Sequence, residues 1–384
     1  MMIRHMRTNR ARPARWQPAA ALFMVLLGLA AQGAAAPEYA PIMPLASQSL
    51  LLDITTAGER IVTVGERGHI LYSDDRGDRW TQARVPTTQM LTGVHFASAQ
   101  QGWAVGHDGL ILVSDDGGAS WRIQRDGIAA QQQANLEIRE QAYQQVKLLQ
   151  EAPASAGDEN TTAQQLALED AVMDLEDAEA ALGEPVFTSP LMDVWFSDDQ
   201  HGWAVGAFGA FLGTANGGQT WQDYSGQIDN PDEFHLNTIT GDAQGRIFIA
   251  GEGGGMYRSL DGGERWESLE PFYEGSWFGV IYSAPHDALL LFGLRGNLYR
   301  STDFGDSWNS VAGGHHTTIA GGSASDSGQI ALAGGVGIVL QSADGGLTFT
   351  RDVLPDRLSL SSALYSGDRL ILIGQGGIQV LDNE

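Results

Sequence analysis

The stretches QGWAVGHDGLILVSDDGGASW (101–121) and HGWAVGAFGAFLGTANGGQTW (201–221) follow one plan. In each, an apolar run ends in glycine and a second glycine follows three residues later. Another apolar run then leads into the octet Ser/Thr-x-Asp/Asn-x-Gly-x-x-Trp/Phe, an Asp box. The octet returns as SDDRGDRW (73–80), SDDGGASW (114–121), TANGGQTW (214–221), SLDGGERW (259–266), STDFGDSW (301–308) and SADGGLTF (342–349). The glycine pair returns seven times, at 65/68, 106/109, 206/209, 251/254, 293/296, 334/337 and 374/377. Its first members are spaced 41, 100, 45, 42, 41 and 40 residues apart, so the long interval is one repeat plus an insertion.

Short apolar runs punctuated by glycine turns at this density read as antiparallel strands. Units of about 40–50 residues with four short strands each are propeller blades. The chain is therefore predicted to be all-β, a seven-bladed β-propeller over 37–384. The last unit has room for three strands, and a segment near 38–48 is expected to supply the fourth and close the ring. Within each box the acidic or amide side chain can accept backbone amides, the glycine can take positive φ, and the aromatic can cover the neighbouring sheet. Asp75, Asp116, Asn216, Asp261, Asp303 and Asp344 are accordingly turn-formers, not catalytic groups or metal ligands.

Residues 127–186 lose the blade signals. Two helical stretches, about 129–151 and 161–182, flank the loop APASAGDENT, and this segment is read as a helical hairpin inserted between blades 2 and 3. Ile138, Ala142, Val146 and Leu149 share one face of the first helix, and Leu168, Val172, Leu175 and Leu182 one face of the second. Twelve acidic and two basic residues make the segment strongly negative.

The first 36 residues carry Arg4, Arg7, Arg10, Arg12 and Arg15, then AAALFMVLLGLAA and QGAAAP, the charged head, apolar middle and small-residue exit of a secretory signal. Cleavage is expected around 33–36, and the location is read as periplasmic, or thylakoid-lumenal in a photosynthetic source. The absence of cysteine excludes disulfides and a lipid-modified cysteine. Without the five leader arginines, 17 basic residues face 47 acidic ones, a net charge of about −30. Such a surface repels nucleic acid and anionic headgroups, so neither is an expected partner.

The GxxG tips offer Glu66, Arg67, His107, Asp108, Phe208, Glu252, Arg295 and Gln375, and the inter-blade loops add Phe234, His235, Trp277, His315 and His316 near the central opening. A mixed polar and aromatic face beside a projecting hairpin is typical of a recognition surface. Glu66, Arg67, His107, Asp108, Phe208, Glu252, Arg295, Gln375, His235, Trp277 and His316 are therefore the candidate partner-binding residues. No HxH, HExxH, GxSxG, phosphate-loop or dinucleotide pattern occurs, so no catalytic residue, metal or cofactor is expected.

The combination of GWAVG, GxxG and Asp box behind an export signal resembles the photosystem II stability/assembly factor family over most of 45–384, outside 127–186. The resemblance implies an exported, non-enzymatic accessory protein that docks on subunits of a membrane-protein complex; separately, the chain is expected to be monomeric in isolation. Photosynthetic members are associated with an arginine-rich patch that meets an acidic partner. Here the arginines are scattered and the surface is acidic, which suits a companion of an envelope transporter. Two other readings stay open: a sialidase-type glycoside hydrolase, which needs three arginines around a carboxylate and a tyrosine nucleophile, and a binder of a small ligand or glycan at the central opening, lined by His235, Trp277 and His316.

Overall fold

The computed structural model describes residues 38–152 and 158–382, with the side chains of 158–161 left aside. The expected export signal lies outside these residues. Among them, seven antiparallel sheets follow one another along the chain. Blade 1 is built from Leu51–Ala57, Arg60–Gly65, Ile70–Ser73 and Thr81–Gln82, and blade 2 from Leu91–Phe96, Gly102–Gly106, Ile111–Ser114 and Arg122–Arg125. Blades 3, 4, 5 and 6 begin at Leu191, Leu236, Trp277 and Ile319, each with four strands in sequential order.

The first strand of every blade lines a central channel with a volume of about 330 Å³. The second strands, such as GWAVG at 102–106 and RIVTVG at 60–65, are buried almost throughout because both faces pack against neighbouring sheets. Side chains between successive sheets form the core. Trp103, for example, stacks on Phe196 of the next blade, with ring centroids 3.4 Å apart.

Closure differs from the sequence expectation. The last sheet, Leu360–Ser366, Arg369–Gly374 and Gly377–Asp382, has three strands only. The segment expected to complete it runs instead beside blade 1, where the Ala40 amide donates to the Val85 carbonyl at 2.9 Å. It then makes a 3-10 turn at Ala46–Gln48 whose backbone crowds Gly377. The ring is sealed by side chains: Ala46, Leu51, Ile54, Ile61 and Leu71 pack with Leu364, Ile371 and Ile373. Arg369 reaches across the same seam to Asp78 at 2.6 Å.

The Asp boxes are the turns between third and fourth strands. In the first, the Ser73 hydroxyl accepts from the Gly77 amide at 2.8 Å and donates to Asp75, which accepts from the Arg79 amide at 2.8 Å. The Trp80 indole donates to the Gly77 carbonyl at 3.0 Å. The box glycines sit at φ of +80° to +96°, where a side chain is strained. A Cβ there would also strike the preceding blade: Val62 from Gly118, Trp203 from Gly263, Ile371 from Gly77. Each box therefore locks its own turn and a seam between blades at once.

The insertion is two helices, α1 (Gly127–Glu151) and α2 (Asp158–Ala181). Asp126 caps α1, accepting from the Ala129 amide at 3.0 Å. The helices pack through Val146, Ala171 and Ala178. Ala142 and Leu149 of the expected face turn inward with Val146, but Ile138 is 54% exposed and Leu182 lies beyond the helix end.

Candidate docking face

The turns between second and third strands lie on the face opposite the boxes. In six blades these tips are 3-10 turns that place their middle residue in the left-handed region: Arg67, Asp108, Phe208, Gly253, Arg295 and Val336, at φ of +55° to +64°. For a bulky or β-branched side chain that backbone is strained. Phe208 and Val336 are about half exposed despite it, so the tips push large apolar groups into solvent.

The hairpin grows from this face. Gly127 abuts the Asp108 carbonyl so closely that a Cβ would lie 2.1 Å from it, and the Arg125 guanidinium donates to the Gly109 carbonyl at 2.5 Å. Burial lowers the Arg125 pKa, and the nearby Asp126 opposes that shift. The chain returns from α2 beside the tip of blade 3, where Phe187 meets Phe208 edge-on at 5.7 Å. Phe208 in turn meets His235 at 5.0 Å, and His235 lies 4.0 Å from Glu252. Phe234 rests over the tip glycine Gly253. Phe187, Phe208 and Phe234 are 67%, 51% and 40% exposed, an aromatic ridge at the root of the hairpin in which Phe208 touches both Phe187 and His235 and Phe234 stands next to His235 in the chain. Below it, Arg125, Ala130, Ala134, Phe187 and Phe208 border a groove of about 420 Å³.

Of the predicted site residues, the structure brings Phe208, His235 and Glu252 together, with His107 and Asp108 at the hairpin root. Arg67, Arg295, Gln375 and His316 are exposed elsewhere, on blades 1, 5 and 7 and ahead of blade 6. Glu66 folds back to accept the Leu50 amide at 3.2 Å, an internal role. Trp277 is a correction: it is fully buried against Phe272, Tyr273 and Tyr299, because a large indole at the start of an inner strand fills the space between sheets. Phe187 was missed; it stands at the exit of the insertion, outside every repeat.

The central channel is also unlike the expectation. His235, Trp277 and His316 do not line it. Its polar groups are spent on joining blades. Asp53 accepts the Ile54 amide and, from blade 2, the Val94 amide, both at 2.8 Å. Asp193 accepts the Val194 amide at 2.8 Å and, from blade 4, the Ile239 amide at 2.9 Å and the Thr238 hydroxyl at 3.1 Å. Desolvation deep in the ring pushes Asp53 up to about 7, helped by the charge of Asp193, and pushes Asp193 up to about 6. His95, whose Nε2 lies 3.1 Å from the Phe196 carbonyl, is pushed down to about 4 by the same burial.

Among the described residues the arginines do not converge. Arg60 pairs with Asp74, Arg246 with Asp242 and Asp287, Arg258 with Glu267 and Asp306, and Arg369 with Asp78 and Asp382. These pairs lie at different places around the ring, each tied to a local carboxylate. No group of three or more His, Cys, Asp or Glu poised to hold a metal occurs among the described residues, and no described helix is long and apolar enough to cross a membrane.

The model of the family described as photosynthesis system II assembly factor YCF48 matches residues 73–147 and 184–329, more than half of the chain. The match breaks off within the helical hairpin and resumes at its end. The photosystem II assembly lipoprotein Ycf48 of Synechococcus sp. (strain CC9902) is 39% identical over 79 residues, which is 20% of this chain and 23% of that relative's length. Among solved structures, a YCF48 bound to a D1 peptide superposes with a TM-score of 0.58 at 16% identity, covering 87% of this chain and 93% of that one. YCF48 from Cyanidioschyzon merolae gives 0.56 at 17%, covering 89% and 97%. The WD40 propeller of Doa1 gives 0.57 at 12%, covering 92% and 98%. Shape alone thus matches a WD40 propeller as well as it matches a YCF48, and the family match rests on the sequence of the blades.

Proposed function

This chain belongs to the photosynthesis system II assembly factor YCF48 family, and on that premise we propose that it is an exported, non-enzymatic accessory factor that docks on a subunit of a membrane-protein complex. The tip face and the hairpin are the docking elements. One observation carries this reading: the aromatic ridge Phe187–Phe208–Phe234, exposed at the foot of a two-helix projection. Exposed aromatics at the centre of a polar face are the usual anchors of protein interfaces.

That a YCF48 has been solved with a D1 peptide bound supports a protein ligand for the fold's relatives. The acidic surface and the hairpin favour a different partner here, a subunit of an envelope transport complex. The dispersed, carboxylate-paired arginines speak against the sialidase chemistry considered above.

A photo-crosslinking amino acid placed at Phe208, and separately at the exposed Leu260 on the box rim, tests the reading in intact cells. Capture of an integral membrane protein from position 208 and not from 260 is the expected result. Equal capture from both rims, or hydrolysis of a sialoside by the purified protein, overturns it.

A further inference from the structure

Resting on the docking reading above, we propose that the outward face of α2 is a seat for a cationic amphipathic helix of a protein partner. The hairpin touches the disc at its root, beside the His107–Gly109 turn, and its helices otherwise pack chiefly on each other. With Ala171 and Ala178 turned inward, the opposite side of α2 is left uncovered by any blade.

That side has a definite pattern. Leu166 and Met173, 56% and 62% exposed, stand seven residues apart, two helical turns, and Ala180 continues the row. Between them on the same side lie Glu169, Asp170, Glu176 and Asp177, all exposed. From Leu166 to Ala180 the row runs about 21 Å at 1.5 Å per residue, enough for some fifteen residues of a helix laid alongside.

Charge decides the occupant. The acids repel an anionic lipid surface, and a second copy would set the same acids against themselves. A helix with apolar residues every third or fourth position and lysine or arginine beside them satisfies both halves of the pattern. Its apolar stripe covers Leu166 and Met173 while its cations meet the four carboxylates, an arrangement that favours rapid, salt-sensitive capture.

The probe is a labelled 18-residue synthetic helix of leucine and lysine in amphipathic order, titrated into the full chain, with an otherwise identical leucine–glutamate peptide as control. The cationic peptide binds and the acidic one does not. Replacing Leu166→Ser with Met173→Ser weakens binding at least ten-fold, and so does Asp170→Asn with Asp177→Asn, while helical circular dichroism stays unchanged. Two exposed rim acids neutralised together, Asp115→Asn with Asp306→Asn, leave the affinity as it was.

Affinity that ignores Leu166 and Met173, or that falls equally with the rim acids, overturns the proposal, since diffuse acidity would then explain the binding. A crosslinker at Met173 separates this claim from the one it rests on. Capture of a membrane protein there supports the seat. Capture at Phe208 alone removes the seat and leaves docking by the tip face intact.

Discussion

Asp53 and Asp193 are the residues whose environment departs furthest from that of ordinary surface acids. Each lies at a bulge of an inner strand and lends its carboxylate to amides of the next blade. Gly93 of blade 2 leaves space beside Asp193, since a Cβ there would lie 3.0 Å from the Met192 carbonyl and 3.3 Å from the Asp193 carboxylate. Burial raises both pKa values above the 3.8 of an unfolded chain, so between about pH 4 and pH 7 the folded protein holds protons that the unfolded one has lost. That contribution to stability is complete at low pH and disappears as pH rises through about 7 for Asp53. His95, pushed down to about 4, acts in the opposite direction between pH 4 and 6.5, so the comparison must be with a variant. Asp53→Asn is expected to flatten the profile: the stability difference between wild type and variant, followed by urea denaturation, shrinks from pH 5 to pH 8. A constant difference rejects the assignment. None of this was legible in the sequence, because in a chain with 47 acids two more carboxylates carry no signal. The box residues were legible because their chemistry repeats. Asp303 and Asp344 are held below the usual carboxylate range by the hydroxyl and amide donors of their own octets, a purely local effect.

At the scale of elements, the blades were readable and the hairpin only partly so. Glycine-terminated apolar runs gave every second strand to within a residue, since those strands are buried on both sides and their composition has no alternative use. The helices were found, but one face was misassigned at Ile138. On α2 the expected Leu168, Val172 and Leu175 are half-buried on the inward side, but the residues buried there are Ala171 and Ala178, small side chains that let the backbones approach and that leucine spacing does not mark. Other apolar groups of the hairpin, among them Ile138, Leu148, Leu166 and Met173, stay exposed. Val146 is the one large side chain of α1 buried in this contact. Val146→Asp puts an unpaired carboxylate there, a burial that proteins rarely tolerate. Helical circular dichroism is expected to fall, and the main thermal transition of the disc to stay within a few degrees. Loss of that transition would mean that the hairpin supports the ring.

For the molecule as a whole, the number of blades was fixed by counting glycine pairs, whereas the manner of closure was not. A ring can be sealed by sharing a sheet between the two chain ends or by packing one finished sheet against another, and both leave the same repeat pattern. Here blade 1 brings its box to blade 7: Gly77 lies against Ile371 and Val380, and Arg369 meets Asp78 and the Arg76 carbonyl. The seam between blades 6 and 7 has no box, because blade 7 lacks one. It is held by Leu354, Leu360, Leu370 and Leu372, with the Tyr365 hydroxyl donating to Gln341 at 2.8 Å. Ile371, fully buried in the closing seam, is the residue to truncate. Ile371→Ala is expected to cost roughly 2–5 kcal/mol in denaturant unfolding. It should also hasten proteolysis at the chain ends before the middle blades are cut. Uniform cutting around the ring would show that the seam is no weaker than its neighbours.

The three-stranded last blade also sets an order in time. Apart from Ala46, the apolar surface that covers the open side of blade 1, from Leu364 to Val380, follows all the other blades in the chain. Six blades can stack on one another in chain order, yet the first keeps a bare apolar flank until blade 7 is in place. A chain cut before Arg369 therefore leaves Leu51, Ile54 and Ile61 without the cover of Ile371 and Ile373, so the first blade is finished by the seventh.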